Sequence, residues 1–134
     1  MAAVLEQRTI DLLRRPNFAT LSTLRPNGTI LGVVLWLGID EAGTITLNSA
    51  EGRAWPASVR RDPRVTLTVP NHEDPYEFVS ITGRVVADTH DGADAHIDAL
   101  AKKYLGVDSY PYRREGEQRI IFTVEPDRVF HRGG

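Results

Sequence analysis

No cysteine occurs among the 134 residues, so a disulfide, a thiolate metal ligand and a cysteine nucleophile are all excluded. No apolar run approaches the roughly 18 residues a membrane-spanning helix needs. The opening "MAAVLEQRTIDLLRRP" carries charges where a secretion signal requires an unbroken apolar core. A cytoplasmic location and no membrane partner are therefore expected. Positive charge is not in excess either: the net charge is −2, and one arginine cluster is not the basic, aromatic-interleaved groove of an OB-like nucleic-acid binder. His72, His90, His96 and His131 are scattered, with no HExxH and no i, i+4 ligand pair, so no metal site is expected. Hydrolase elbows, P-loops and dinucleotide fingerprints are absent as well.

What remains is an ordinary globular composition, 41% apolar and 25% charged, at a length that suits one domain over 1–134. Leu5, Thr9, Leu12 and Leu13 recur at helical spacing before Pro16, predicting an N-terminal helix that covers one barrel opening. "FATLSTL" alternates from Phe18 to Leu24 as a strand, and Asn27-Gly28 predicts a hairpin back into "ILGVVLWLGI". "TITLN", "RVTLTV" and "EFVSITGRVVAD" add strands, with Gly83 a candidate bulge. A helix from near Asp91 to Gly106 follows. "QRIIFTV" and "RVFH" complete the chain around a Glu125-Pro126-Asp127 turn. Six or seven hairpin-linked strands with short helices predict a mainly β, antiparallel barrel. "NHEDPY" reads as a turn around Asp74-Pro75.

The stretch "NSAEGRAWPASVRRDPRV" places a small-residue turn before a helix whose start Pro56 restricts to about Gly52–Trp55. Free amides and the positive dipole end of a helix attract anions. A phosphate there could take backbone bonds, a Ser49 hydroxyl bond and a forked Arg53 contact, with Trp55 as a flat wall and Asn48 in the same turn. The plainer reading is that Arg53, Arg60, Arg61 and Arg64 solvate a helix and pair with Glu51 and Asp62.

The order "FATLSTLRPNGT", "TLNSAEGRAWPASVRRDPRVTLTV", "DPYEFVSITGRVV" and "YPYRREGEQRIIFTVEPDRV" resembles the pyridoxamine 5'-phosphate oxidase-like superfamily, most closely its flavin/deazaflavin oxidoreductases of class B. "GR-x-x-x-x-x-x-RRDPRV" is the most specific part, and the likeness covers nearly the whole chain. It implies a split antiparallel Greek-key β-barrel of the FMN-binding type, working as a homodimer with the cofactor groove between subunits. It implies coenzyme F-420 as first cofactor and FMN as second. Asn48, Ser49, Arg53 and the helix start would hold the phosphate; Thr20, Ser22, Val34, Leu35 and Trp36 would border the ring; Arg60 belongs to the same arginine block. One position departs from the pattern: relatives commonly carry lysine two residues after the arginine, where this chain has Trp55.

The implied chemistry is hydride transfer from reduced F-420 to an unsaturated, conjugated small molecule, with charge on the acceptor stabilised by an arginine or phenol. An FMN-dependent oxidase or reductase, and a carrier of F-420, FMN or haem without turnover, are the alternatives. Arg113 and Arg114 either reach a substrate or acidic cofactor tail across the dimer or pair with Glu115 and Glu117. Tyr110 and Tyr112 suit a pocket rim or an interface. Trp36, opposite in phase to Leu35 and Leu37, faces a partner, the core or the ring groove. "ILGVVLWLGI" has too few polar alternations for a strand wet on one face, which independently predicts a covering subunit.

Overall fold

A computed structural model describes residues 2–134. In chain order the elements are α1 (Gln7–Arg14), β1 (Ala19–Leu24), β2 (Ile30–Leu35), β3 (Leu37–Ile39), β4 (Ile45–Ala50), α2 (Ala54–Arg61), β5 (Arg64–Asn71), β6 (Asp74–Thr89), α3 (Ala93–Leu105) and β7 (Arg119–Arg132). The seven strands make one sheet in the order β2-β1-β5-β6-β7-β4-β3, with antiparallel neighbours throughout. β2 and β3 therefore stand at opposite edges, yet only Trp36 separates them in the chain. Two residues of backbone span at most about 7 Å, so the sheet must curl until the end of β2 lies beside the start of β3, which makes a curled half-barrel of the split-barrel type.

Alternation fills the inside of the curl. Ala19, Leu21 and Thr23 of β1 are buried while Thr20, Ser22 and Leu24 are half-buried. Leu67, Val79, Ile81, Ile45, Leu47 and Phe122 are fully buried, and Leu12 and Leu13 of α1 join the same core. That placement makes α1 the plug expected from its apolar spacing. Gly83 sits where the β6–β7 register shifts, opposite a bulge at Asp127 of β7, and a Cβ there would run into the Glu125 carbonyl, so no side chain fits at that position. α3 ends at Gly106 in the left-handed conformation, its N–H returning to the Lys102 carbonyl at 3.0 Å.

Four local expectations are corrected. "ILGVVLWLGI" is two strands, because the chain changes sheet edge at Trp36. "QRIIFTV" and "RVFH" are one 14-residue strand: a register shift at Gly83 absorbs Pro126 opposite it instead of a turn. The β5–β6 connection turns at His72-Glu73, and Asp74-Pro75 already belongs to β6. In the first hairpin only Gly28 takes positive φ (84°), while Asn27 caps the turn by accepting bonds from the Thr29 amide and hydroxyl.

Candidate functional site

β4 ends beside the start of β7, and this pairing builds the site. Asn48 lies opposite Ile121 and Ala50 opposite Arg119, so Asn48 and Arg119 are diagonal neighbours on one face. Arg119 is buried and donates through Nε to Asn48 Oδ1 at 2.9 Å. Its guanidinium also lies 5.1 Å from the Tyr110 ring and 3.1 Å from Glu117 Oε1. A buried charge needs partners of this kind, because desolvation without them costs several kcal/mol. Asn48 Nδ2 donates to the Ala93 carbonyl at 2.9 Å and to His96 Nδ1 at 3.0 Å, which leaves His96 Nε2–H for Thr46 Oγ1 at 2.8 Å. Burial and then the Arg119 charge push the His96 pKa down, in keeping with that neutral tautomer.

A cleft of about 200 Å³ opens above this network, lined by Val34, Leu35, Trp36, Asn48, Arg53, Ile97, Leu100, Tyr110, Tyr112 and Arg119. Trp36, Tyr110 and Tyr112 of its lining belong to a ribbon of five rings that continues behind the cleft to Tyr104 and Phe18. Phe18 meets Tyr104 at 5.5 Å, Tyr104 stacks on Trp36 at 5.5 Å and 7°, Trp36 meets Tyr110 edge-on at 5.9 Å, and Tyr110 meets Tyr112 at 5.7 Å. Tyr104 is pinned: its hydroxyl donates to the Asn17 carbonyl at 2.7 Å and accepts from the Leu37 amide at 3.1 Å, and burial pushes its pKa up to about 12. Beneath it Lys103 Nζ donates to the carbonyls of Leu13 at 2.6 Å and Leu37 at 2.7 Å, with its pKa pushed down to about 8 by burial.

At the mouth, Arg53 is the N-cap residue of α2 and half-exposed. No side chain caps this helix, and its first-turn amides at Ala54 and Trp55 have no intrahelical acceptor. Arg53 Nη2 stands 3.6 Å from Glu117 Oε2. The chain therefore places Val34, Trp36, Asn48 and Arg53 around one cleft, with Thr20 paired to Val34 on the neighbouring strand.

Other expected residues lie elsewhere. Ser22 lines a separate groove with Ile30, Arg64, Thr66 and Thr82. Ser49 falls on the opposite face of β4 from Asn48, in phase with the fully buried Ile45 and Leu47, and its buried Oγ has no partner among the described residues. Trp55 is not a cleft wall: helical phase turns it inward with Ser58 and Val59, 5.0 Å from the Phe122 ring. Arg60 is drawn away from the cleft by Glu51 at 2.8 Å and Asp88 at 3.3 Å, and Arg64 pairs with Asp62 at 2.8 Å, so the plainer reading of the arginine run holds for these two. Arg113 pairs with Asp98 at 2.6 Å and Asp94 at 3.2 Å on α3, not with Glu115 or Glu117.

The sequence assigns no site role to Arg119, Glu117, Ile97 or Leu100, which the structure brings to the cleft or its cations. Arg119 looks like the polar start of an apolar strand, and only the β4–β7 register reveals its partner 71 residues away.

Residues 5–133 match the family model described as pyridoxamine 5'-phosphate oxidase. Among solved structures, a protein named F420 Reductase is 25% identical, with a TM-score of 0.82 over 95% of this chain and 98% of its own. A conserved hypothetical protein from Mycobacterium tuberculosis is 19% identical, with a TM-score of 0.74 over 98% and 86% of the two chains. General Stress Protein 26 from Bacillus anthracis is 13% identical, with a TM-score of 0.66 over 92% and 89%. The last two share the fold alone. No curated protein matches the chain.

Proposed function

Because the chain belongs to the pyridoxamine 5'-phosphate oxidase family, we propose that it is a cytoplasmic, single-domain oxidoreductase of the split-barrel type that binds a deazaflavin of the F-420 kind and passes hydride to an unsaturated, conjugated small molecule. The observation that carries this reading is the joining of an uncapped helix start and two guanidiniums, Arg53 and Arg119, to a wall of aromatic rings in one cleft. Such a donor set fits a phosphate tethered to a flat ring system: Arg53 and the Ala54 and Trp55 amides suit the phosphate, Val34 and Trp36 the ring. Likeness to a protein named F420 Reductase favours a deazaflavin over FMN.

A bound deazaflavin would supply the hydride. The chain's own residues orient and exclude. Trp36, held flat against Tyr104, offers a rigid apolar surface, and the side chains of Ile97 and Leu100 keep water from the floor. Tyr104 is unsuited to giving a proton, since its hydroxyl is committed to Asn17 and its pKa is raised. Tyr112, 63% exposed at the rim, is a phenol free to donate to an acceptor.

At about 200 Å³ the cleft falls below the roughly 300 Å³ at which ligand pockets begin. A second subunit would complete it, and the exposed Ile30 and Val34 of edge strand β2 offer the apolar surface to bury. FMN-dependent redox chemistry, or cofactor carriage without turnover, is the second reading, and the absence at position 55 of the lysine that relatives commonly carry favours carriage.

The test is fluorescence titration of the apoprotein with F-420 and with FMN, in wild type and Arg53→Ala. Micromolar F-420 binding, weakened at least about tenfold (about 1.4 kcal/mol) by Arg53→Ala, is expected. Preference for FMN would transfer the protein to the flavin-dependent reading, and binding of neither would end the oxidoreductase proposal.

A further inference from the structure

Glu117 grips both cleft cations, and its charge bears on which phosphate can enter. Its Oε1 lies 3.1 Å from Arg119 Nη1 and its Oε2 3.6 Å from Arg53 Nη2, with the Glu117 side chain only 8% exposed. The two contacts are unequal. Arg119 is buried, bonded also to Asn48 and stacked on Tyr110, so it cannot leave. Arg53 is half-exposed and held by the longer contact, so it can trade the carboxylate for a ligand anion while Glu117 stays paired with Arg119.

The loop bearing Glu117 is fastened on both sides: the Glu51 amide donates to the Gln118 carbonyl at 2.9 Å, and the Tyr110 amide donates to Asp98 Oδ1 at 2.8 Å. Arg53 and Arg119 are the charged residues that line the cleft, Arg60 and Arg113 being paired elsewhere. With Glu117 counted, the site carries one net positive charge, and His96 behind Asn48 adds none as a neutral imidazole.

We propose that Glu117 is a specificity-determining residue that matches the cleft to a singly charged phosphodiester and discriminates against a doubly charged phosphomonoester. This rests on the reading of the cleft as a cofactor-phosphate site. The phosphate of an F-420-type deazaflavin is a diester with a single charge, whereas that of FMN is a monoester carrying about −1.5 to −2 at neutral pH. A partly desolvated site with one net positive charge balances the first and leaves the second with uncompensated charge facing the Glu117 carboxylate.

The experiment measures dissociation constants of F-420, FMN and phosphate-free riboflavin for wild type and Glu117→Gln by fluorescence, with circular dichroism of both proteins. Wild type is expected to favour F-420 over FMN. In Glu117→Gln the FMN constant should tighten about tenfold more than the F-420 constant, the order expected for removing one charge a few ångströms from the phosphate, with riboflavin unchanged. An unchanged FMN-to-F-420 ratio, or wild type favouring FMN, overturns the inference. Should Glu117→Gln not fold, displacement of F-420 from wild type decides: methyl phenyl phosphate, a monoanion, should displace at lower concentration than phenyl phosphate, a dianion, and the reverse order overturns the inference. F-420 binding with an unchanged ratio sinks this inference alone, while binding of neither cofactor sinks it together with the proposed function.

Discussion

Arg119 Nε donates to Asn48 Oδ1 at 2.9 Å, and this bond fixes which way the Asn48 amide faces. With Oδ1 committed, Nδ2 is left to bridge the Ala93 carbonyl and His96 Nδ1, so one buried amide joins β7, β4 and α3. Asn48→Ala should leave the Arg119 Nε–H and the Ala93 carbonyl without their partners. The expected cost is about 2 kcal/mol in urea unfolding, and a loss below about 0.5 kcal/mol would mean the network is not what holds α3 to the sheet.

Trp55→Lys restores the residue type that relatives commonly carry two positions after the arginine. In this chain Trp55 is 7% exposed against Phe122, so the substitution should cost about 3 kcal/mol or more of stability. It should not tighten F-420 binding. Enhanced binding without loss of stability would show that position 55 can reach the cleft after all.

Stability should depend on pH through the Lys103–Tyr104 pair. Lys103 is depressed to about 8 from 10.5, so above pH 8 the unfolded chain binds more protons and stability rises. Tyr104 is raised to about 12 from 10.0, so above pH 10 the folded chain binds more protons and stability falls. Urea midpoints should therefore climb from about pH 8 to 10 and decline beyond. Lys103→Met should flatten the climbing limb and leave the decline; an unaltered climb in that variant would assign it to another group.

Ile30→Lys tests the shared cleft. Ile30 is 67% exposed on edge strand β2 and lies outside the cleft lining. Sedimentation should show wild type at about twice 14.9 kDa and the variant at the single-chain mass, with matching far-ultraviolet spectra. A wild-type monomer at micromolar concentration would remove the second wall from the proposal.

Much of the fold was readable because its signals are local. The alternation of Ala19, Leu21 and Thr23 matches their burial, Gly28 and Gly106 stand at positive φ, and Gly83 marks a register shift. Misreadings arose where local and global signals part. Pro126 suggests a turn, but a bulge at Asp127 in the same strand accommodates it. Adjacency puts Ser49 with Asn48, but successive strand residues face opposite sides. Spacing groups Trp55 with Arg53, but Arg53 caps α2 from extended backbone while Trp55, inside the helix, turns inward with Ser58 and Val59.

Strand phase, turn chemistry and the apolar excess of β2 depend on neighbours within a few residues, and the sequence by itself determined them. The family likeness, and with it Arg53 at a helix start, was also present there. The pairing of β4 with β7 was decided only in three dimensions, because it closes contacts some 70 residues apart whose register no local pattern specifies. That register brings Arg119 under Asn48, sets Glu117 between two guanidiniums and gives the cleft its charge.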